Sequence, residues 1–174
     1  MDGNNIEKVN IKVQIAKLDD LDAYKDIRLE SLRVNPEAFG LKLEEALARA
    51  DERWMEDITL DRKFIVLAKV DDSATGAKTM TGAYKIEEEE GTWRVYAVYT
   101  RPKFRKFGLS EQVISKVLEE IKKRGGVKAV LNVTEMPEQE AARALYEKFG
   151  FKNRPLKYFK KPFIIEMEKD LNAR

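Results

Sequence analysis

Residues 92–100 read Thr-Trp-Arg-Val-Tyr-Ala-Val-Tyr-Thr, and they restrict the fold more than any other segment. The run is rich in β-branched and aromatic residues, which pack well on a pleated surface. Under strict alternation Trp93, Val95 and Ala97 fall on one face, and Tyr96 and Val98 on the other. Both faces are therefore apolar. Such a strand belongs in the middle of a sheet, covered on both sides.

The flanking segments supply the rest of the architecture. Ile11–Leu18 alternates apolar and polar residues as a half-buried strand does. Asp19 and Asp20 suit a helix cap, and Leu21, Tyr24, Ile27 and Leu32 then share a face until Asn35-Pro36 ends the helix. A second helix is expected over Leu43–Ile58, with Leu47, Ala50, Trp54 and Ile58 at helical spacing. Phe64–Val70 reads as a buried strand, and Asp71–Gly76 as a turn. Lys78–Ile86 and Thr92–Thr100 form a hairpin closed near Glu90-Gly91. After a basic loop, Leu109, Val113, Ile114, Val117, Leu118 and Ile121 mark the inner face of a helix ended by Gly125-Gly126. Val127–Thr134 is a further strand, and Pro137 opens a helix with Ala141, Ala142, Leu145 and Phe149 inward and Gly150 as its stop. A short strand from Phe151 and a last one through Phe163, Ile165 and Met167 complete the order βααβββαβαββ. No repeat or linker interrupts it. Residues 1–10 read as a flexible N-terminal tail and 11–174 as a single domain.

What is missing from the composition excludes much chemistry. The 174 residues contain no cysteine and no histidine. Disulfides, Cys/His metal sites, cysteine nucleophiles and Ser-His-Asp triads are ruled out, and no metal is expected. Proton transfer falls to Glu, Asp, Lys, Tyr, a terminus or water. The 33 basic and 31 acidic residues nearly cancel, so no nucleic-acid partner is expected. The first ten residues are polar and lack a signal-peptide core, and no apolar run is long enough to span a membrane. The expected location is cytoplasmic.

The segment that carries chemistry is Val98-Tyr-Thr-Arg-Pro-Lys-Phe-Arg-Lys-Phe-Gly-Leu-Ser110. It leads from a strand, through a basic loop holding a glycine, into a helix. The first turn of a helix presents unpaired N–H groups and a positive dipole end, which suit a phosphate. Gly108 and Ser110 are small enough for close approach, and Arg101, Lys103, Arg105 and Lys106 add positive charge. Neither GxxxxGK[ST] nor GxGxxG is present, so nucleotide hydrolysis and dinucleotide redox chemistry lack support. On charge alone, a solvated surface loop is an equal reading.

The segment resembles the acetyl-CoA signature of the GNAT N-acetyltransferase superfamily, roughly V-x-P-x-[YF]-R-G-x-G-x-[GA]. The matching residues are Thr100-x-Pro102-x-Phe104-Arg105-Lys106-Phe107-Gly108-Leu109-Ser110. A second segment, Ala142-x-x-Leu145-Tyr146-x-x-x-Gly150-Phe151, is similar to the family's later motif, and Asn35-Pro36-Glu37-Ala38-Phe39 to an acceptor-side segment. The likeness spans about Ile11 to Lys169. Departures are Thr100 for valine, Lys106 and Ser110 for glycine or a small residue, and Gln139 for a frequent asparagine.

The resemblance implies an α/β (α+β) fold with a central, mostly antiparallel mixed sheet of six to seven strands and about four helices. It implies an acyltransferase that passes the acetyl group of acetyl-CoA to a primary amine by direct attack in a ternary complex. Cofactor contacts would come from Val98, Tyr99, Thr100, Arg105, Lys106, Phe107, Gly108, Leu109, Ser110 and Gln139, with the Val98 or Tyr99 N–H polarising the thioester carbonyl. Tyr146 matches the tyrosine that protonates the departing thiolate. Glu87–Glu90 are the obvious carboxylates for a base, but they read first as a solvated hairpin tip. Tyr24, Phe39, Trp54 and Tyr96 are either core or walls of the acceptor pocket. The acceptor is a small-molecule or peptide amine, and a homodimer through the late strands is compatible with the family. Two other readings stay open: a CoA-binding regulatory domain without catalysis, and a basic-loop RNA- or protein-binding module.

Overall fold

The computed structural model describes residues 10–157 and 163–173. Residues 1–9 of the expected flexible tail, and residues 158–162 and 174, lie outside the described residues. Seven strands form one sheet: β1 (Lys12–Ile15), β2 (Lys63–Lys69), β3 (Ala77–Lys85), β4 (Thr92–Thr100), β5 (Lys128–Thr134), β6 (Lys152–Arg154) and β7 (Ile164–Asp170). Their order is β1-β2-β3-β4-β5-β7-β6. Every neighbouring pair is antiparallel except β4 and β5, which are parallel. The run that is apolar on both faces, β4, sits in the middle as its composition requires.

Among the described residues five α-helices cover the sheet: α1 (Leu21–Val34), α2 (Leu43–Leu47), α3 (Asp51–Thr59), α4 (Leu109–Lys123) and α5 (Glu140–Lys148). One face of the sheet packs on α4 and α5, with Phe64, Val66, Trp93, Val95, Ile114 and Tyr146 among the residues of that core. The other packs on α1, α2 and α3, through Tyr24, Ile27, Ala46, Trp54, Ile65 and Met80. Each large side chain fully removed from water contributes about 1.5–3 kcal/mol. The predicted inner face of α4 is confirmed, with Val113, Ile114, Val117 and Ile121 fully buried. Gly126 follows that helix because a Cβ there would lie 2.3 Å from Ile121 Cγ2 and 2.7 Å from the Trp93 ring.

Four local expectations are corrected. The helix expected over Leu43–Ile58 is two helices, broken at Ala48–Ala50. Ala50 is extended (ψ 153°), and Asp51 and Glu52 restart the helix where its dipole favours acids. The break turns Arg49 inward onto Asp57 (3.2 Å) and over Trp54, and leaves Leu47 58% exposed. The first strand stops at Ile15, and Leu18–Asp20 is a 3-10 turn. Asp20 closes that turn by accepting the Lys17 N–H at 2.9 Å, but its side chain makes no capping bond to α1. On α5 the buried stripe is Ala142, Tyr146 and Phe149, at i, i+4 and i+7, while Ala141 is exposed.

The fourth correction concerns β4. Gly82 pairs with Tyr96 and Met80 with Tyr99, so Ala97 and Val98 stand opposite one residue, Thr81. Ala97 takes φ +57°. This β-bulge shifts the side-chain alternation by one. Ala97 therefore joins Tyr99 in the core beneath α1, while Val98 joins Trp93 and Val95 on the α4 face.

Candidate active site

Two strands that run parallel and then part create the site. β4 and β5 pair only at Thr92, Trp93 and Arg94, opposite Lys128, Ala129 and Val130. Beyond Arg94 the edges Val95–Thr100 and Leu131–Thr134 diverge, and their facing backbone groups lack a strand partner. A cleft of about 1280 Å³ opens there. One flank is formed by Val95–Val98 and the other by Leu131–Thr134, Met136 and Gln139, with Tyr146 also on the wall. The Arg143 guanidinium ties down the loop after β5 by donating to the carbonyls of Thr134 and Met136.

The basic loop lies between the end of β4 and the start of α4. Lys106 (φ +68°) and Gly108 (φ +75°) are both left-handed. Such turns gather successive N–H groups into a concave anion site, here continuous with the N-terminus of a fifteen-residue helix. Lys106 stands where the family signature has glycine, and it adopts the conformation that glycine takes without cost. Phe107 is 38% exposed beside it, whereas Leu109 is buried and anchors the helix. The departures Thr100 and Ser110 complement each other: their hydroxyls hydrogen-bond at 2.9 Å, and Thr79 adds a contact to Thr100 at 3.1 Å. The pair pins the strand end to the first turn of α4.

The basic residues of this loop divide into two groups. Arg101 turns away from the loop, donating to the Ala77 carbonyl at 2.7 Å and pairing with Asp26 and Glu30 of α1. Arg105 donates to the Thr100 carbonyl at 3.1 Å and lies over Tyr99, but remains exposed, as do Lys103 and Lys106. The Tyr99 hydroxyl points to Glu30 (3.0 Å), and burial together with that carboxylate pushes its pKa up to about 12. Tyr99 can thus serve the cleft only through its backbone.

Tyr146 is buried at 6% exposure, edge-on to Phe151. Its hydroxyl makes no hydrogen bond to a described residue. Burial alone drives its pKa well above the ordinary tyrosine value, so the phenol is neutral at physiological pH. It can donate a proton or a hydrogen bond but cannot act as a base. Gln139 sits at the N-terminal boundary of α5, half-buried, with no capping hydrogen bond from its side chain.

Other expected residues lie elsewhere. Glu87 pairs with Arg62 and Glu89 with Arg154, at the far end of the β3–β4 hairpin and off the cleft. Trp54 is core, packed edge-on against Tyr24. Tyr24, Phe39 and Tyr96 do line the cleft. Sequence reasoning missed Arg28, Arg49 and Asp57, which line it too. Asp57 is buried and accepts from Tyr24 (2.9 Å), Arg49 (3.2 Å) and Lys63 (2.8 Å). The available signal was Arg28, a cation four residues after Tyr24 on the otherwise apolar stripe of α1.

Among the described residues no cluster of acidic side chains suits a metal, and no helix is long and apolar enough to cross a membrane.

Solved structures with the same fold include an N-acetyltransferase from Staphylococcus aureus Mu50, at 19% identity and TM-score 0.70, covering 94% of this chain and 99% of that one. The PaiA N-acetyltransferase from Thermoplasma acidophilum, solved in complex with coenzyme A, matches at 15% identity and TM-score 0.70, covering 92% and 99%. Salmonella typhimurium YncA, solved with its cofactor acetyl-CoA, matches at 17% identity and TM-score 0.72, covering 95% and 96%. No match is found among curated protein sequences. The family model for the acetyltransferase (GNAT) family matches residues 42–151, more than half of the chain and the whole of the cleft-forming β4–α4–β5–α5 run. The chain belongs to the GNAT acetyltransferase family, and its activity is acyl transfer.

Proposed function

We propose that residues 11–174 form one transferase domain that carries the acetyl group of acetyl-CoA to a primary amine by direct attack within a ternary complex. The observation that carries this reading is the cleft opened where β4 parts from β5, together with the left-handed loop that leads from the end of β4 into the N-terminus of α4. Acetyl-CoA supplies the acyl group as an activated thioester. The N–H groups from Lys106 to Ser110 take the pyrophosphate, helped by exposed Arg105 and Lys106. The unpaired edge of β4 from Val98 to Thr100 accepts the amide-rich arm, and Gln139 faces it from the other flank. The N–H of Val98 or Tyr99 donates to the thioester carbonyl oxygen, stabilising the negative charge that develops there.

The chain has no cysteine to form an acyl-enzyme, so catalysis rests on positioning and electrostatics. Tyr146 donates to the departing thiolate. An alkyl thiol is a stronger acid than a phenol raised by burial, so Tyr146 stabilises the thiolate by a hydrogen bond rather than by complete transfer, and the proton that the attacking amine loses passes to the thiolate or to water.

The experiment is the melting temperature with and without acetyl-CoA, with CoA, ADP and ATP as comparisons. A hundredfold excess over Kd stabilises a folded-state ligand complex by about 2.7 kcal/mol. A rise with CoA and acetyl-CoA that exceeds the rise with ADP and ATP is expected. No shift at millimolar acetyl-CoA overturns the reading. A shift without turnover of any amine leaves a binding domain and removes the catalytic part.

A further inference from the structure

The acceptor side of the cleft holds a charge that the acyl-transfer machinery does not use. Arg28, on the inner face of α1, is only 5% exposed and lines the cleft with Tyr96, Ala97 and Val98. Its Nη1 is buried without a hydrogen-bond partner. No carboxylate pairs with it among the described residues. Asp57 bears on it electrostatically but is already shared by Tyr24, Arg49 and Lys63. The cleft's other acids, Glu37 and Glu44, are exposed.

The Tyr96 hydroxyl, beside Tyr24, is likewise buried without a well-formed hydrogen bond. Two unmet donors therefore share this wall. Buried cations are ordinarily paired, because an unpaired one forfeits its hydration with nothing in return. The guanidinium lies over the Phe39 ring, with Arg28 Cζ 5.0 Å from the centroid. That contact supplies no oxygen acceptor, so the N–H groups keep their capacity to bind one. A planar carboxylate matches a guanidinium with two parallel hydrogen bonds.

We infer that the acceptor is a small aminocarboxylate whose carboxylate is held by Arg28, with Tyr96 as an additional donor. Its amine then lies in the same cleft as the β4 bulge. This rests on the acyl-transfer reading of the cleft and adds to it the class of acceptor.

The test uses the full chain saturated with CoA and titrated calorimetrically with N-acetylated amino acids, the products such acceptors would give. Each acid (N-acetylglycine, N-acetylalanine, N-acetylglutamate) is compared with its neutral amide, and N-acetyl-aminoethylphosphonate is included. At least one acid is expected to bind saturably, at least about 30-fold more tightly than its amide, as losing one partner of a buried charge pair would cost. Arg28→Gln is expected to abolish that difference while keeping the wild-type melting shift with acetyl-CoA. Arg28→Lys keeps the charge but loses the fork, and serves the same comparison if the glutamine variant does not fold. Its acid preference is expected to fall.

Equal binding of acids and amides, no saturable binding of any acid, or a preference that survives in the variants overturns the proposal. Tighter binding of the phosphonate assigns the site to phosphate-bearing amines instead and overturns the carboxylate. A wild-type protein that shifts with acetyl-CoA but ignores the acids loses only this inference. One that fails to shift loses the cofactor reading itself.

Discussion

At the scale of single residues, the catalytic proposal depends on one hydroxyl. Tyr146 reaches the cleft because α5 buries the stripe Ala142, Tyr146 and Phe149, so packing and not exposure aims it. Tyr146→Phe removes one oxygen from a site where that oxygen has no protein partner among the described residues, so folding stability should change little. We expect kcat to fall on the order of 100-fold, with the KM for acetyl-CoA nearly unchanged. Steady-state kinetics check this, and an unaltered kcat removes the hydrogen-bond role at the thiolate. The residue motif was legible in the sequence. What Tyr146 lacks by way of partners was not, because a hydrogen-bond inventory depends on neighbours distant in the chain.

At the scale of elements, the decisive feature is the bulge in β4. Strict alternation put Ala97 with Trp93 and Val95, and the structure puts Val98 there instead. A bulge inserts one residue into the count, and the segment 92–100 contains no glycine to announce it. Ala97 takes the positive φ itself. A β-branched side chain is poorly tolerated in that conformation. Ala97→Val is expected to lower stability by about 1–3 kcal/mol and to reduce kcat/KM by re-aiming the Val98 and Tyr99 N–H groups. Urea denaturation and acetyl-CoA kinetics measure the two effects. A variant as stable and as active as the parent removes the role given to the bulge. The break between α2 and α3 was hidden for a related reason, since Leu43–Ile58 has helical periodicity throughout and the contact of Arg49 with Asp57 that accompanies the break is seen only in the folded chain.

At the scale of the molecule, the charge network sets the pH range of stability. Burial raises the carboxyl pKa values of Asp20 and Glu166, but Lys69 and the pair Arg94–Arg154 hydrogen-bond the ionised forms and bring both below the ordinary value. Glu89 is lowered by its hydrogen bonds to Arg154. Groups lowered in this way stabilise the fold above their unfolded pKa, and that contribution disappears as pH falls through the folded value. Burial raises the pKa of Tyr24, Tyr96 and Tyr146, so their contribution is present below the unfolded phenol value and is lost as pH rises beyond it. With no histidine, little titrates between these limits. The urea midpoint should therefore be flat from about pH 5.5 to 8, and fall below about pH 4.5 and above about pH 10. A clear slope between pH 6 and 8 contradicts this account.

The order of elements, the central place of β4, the inner face of α4 and the phosphate-suited loop could all be read from the chain, because each follows from local periodicity or from a contiguous motif. The absence of cysteine and histidine likewise limited the chemistry before any fold was known. Other properties required the folded molecule. The divergence of β4 from β5 after three paired positions, the turning of Arg101 onto α1, and the pairing of Thr100 with Ser110 all depend on residues brought together from different elements. The solitary Arg28 belongs with them. Sequence reasoning passed over it, and whether a counter-charge meets it is fixed by which side chains converge across the cleft, a property of the packed structure alone.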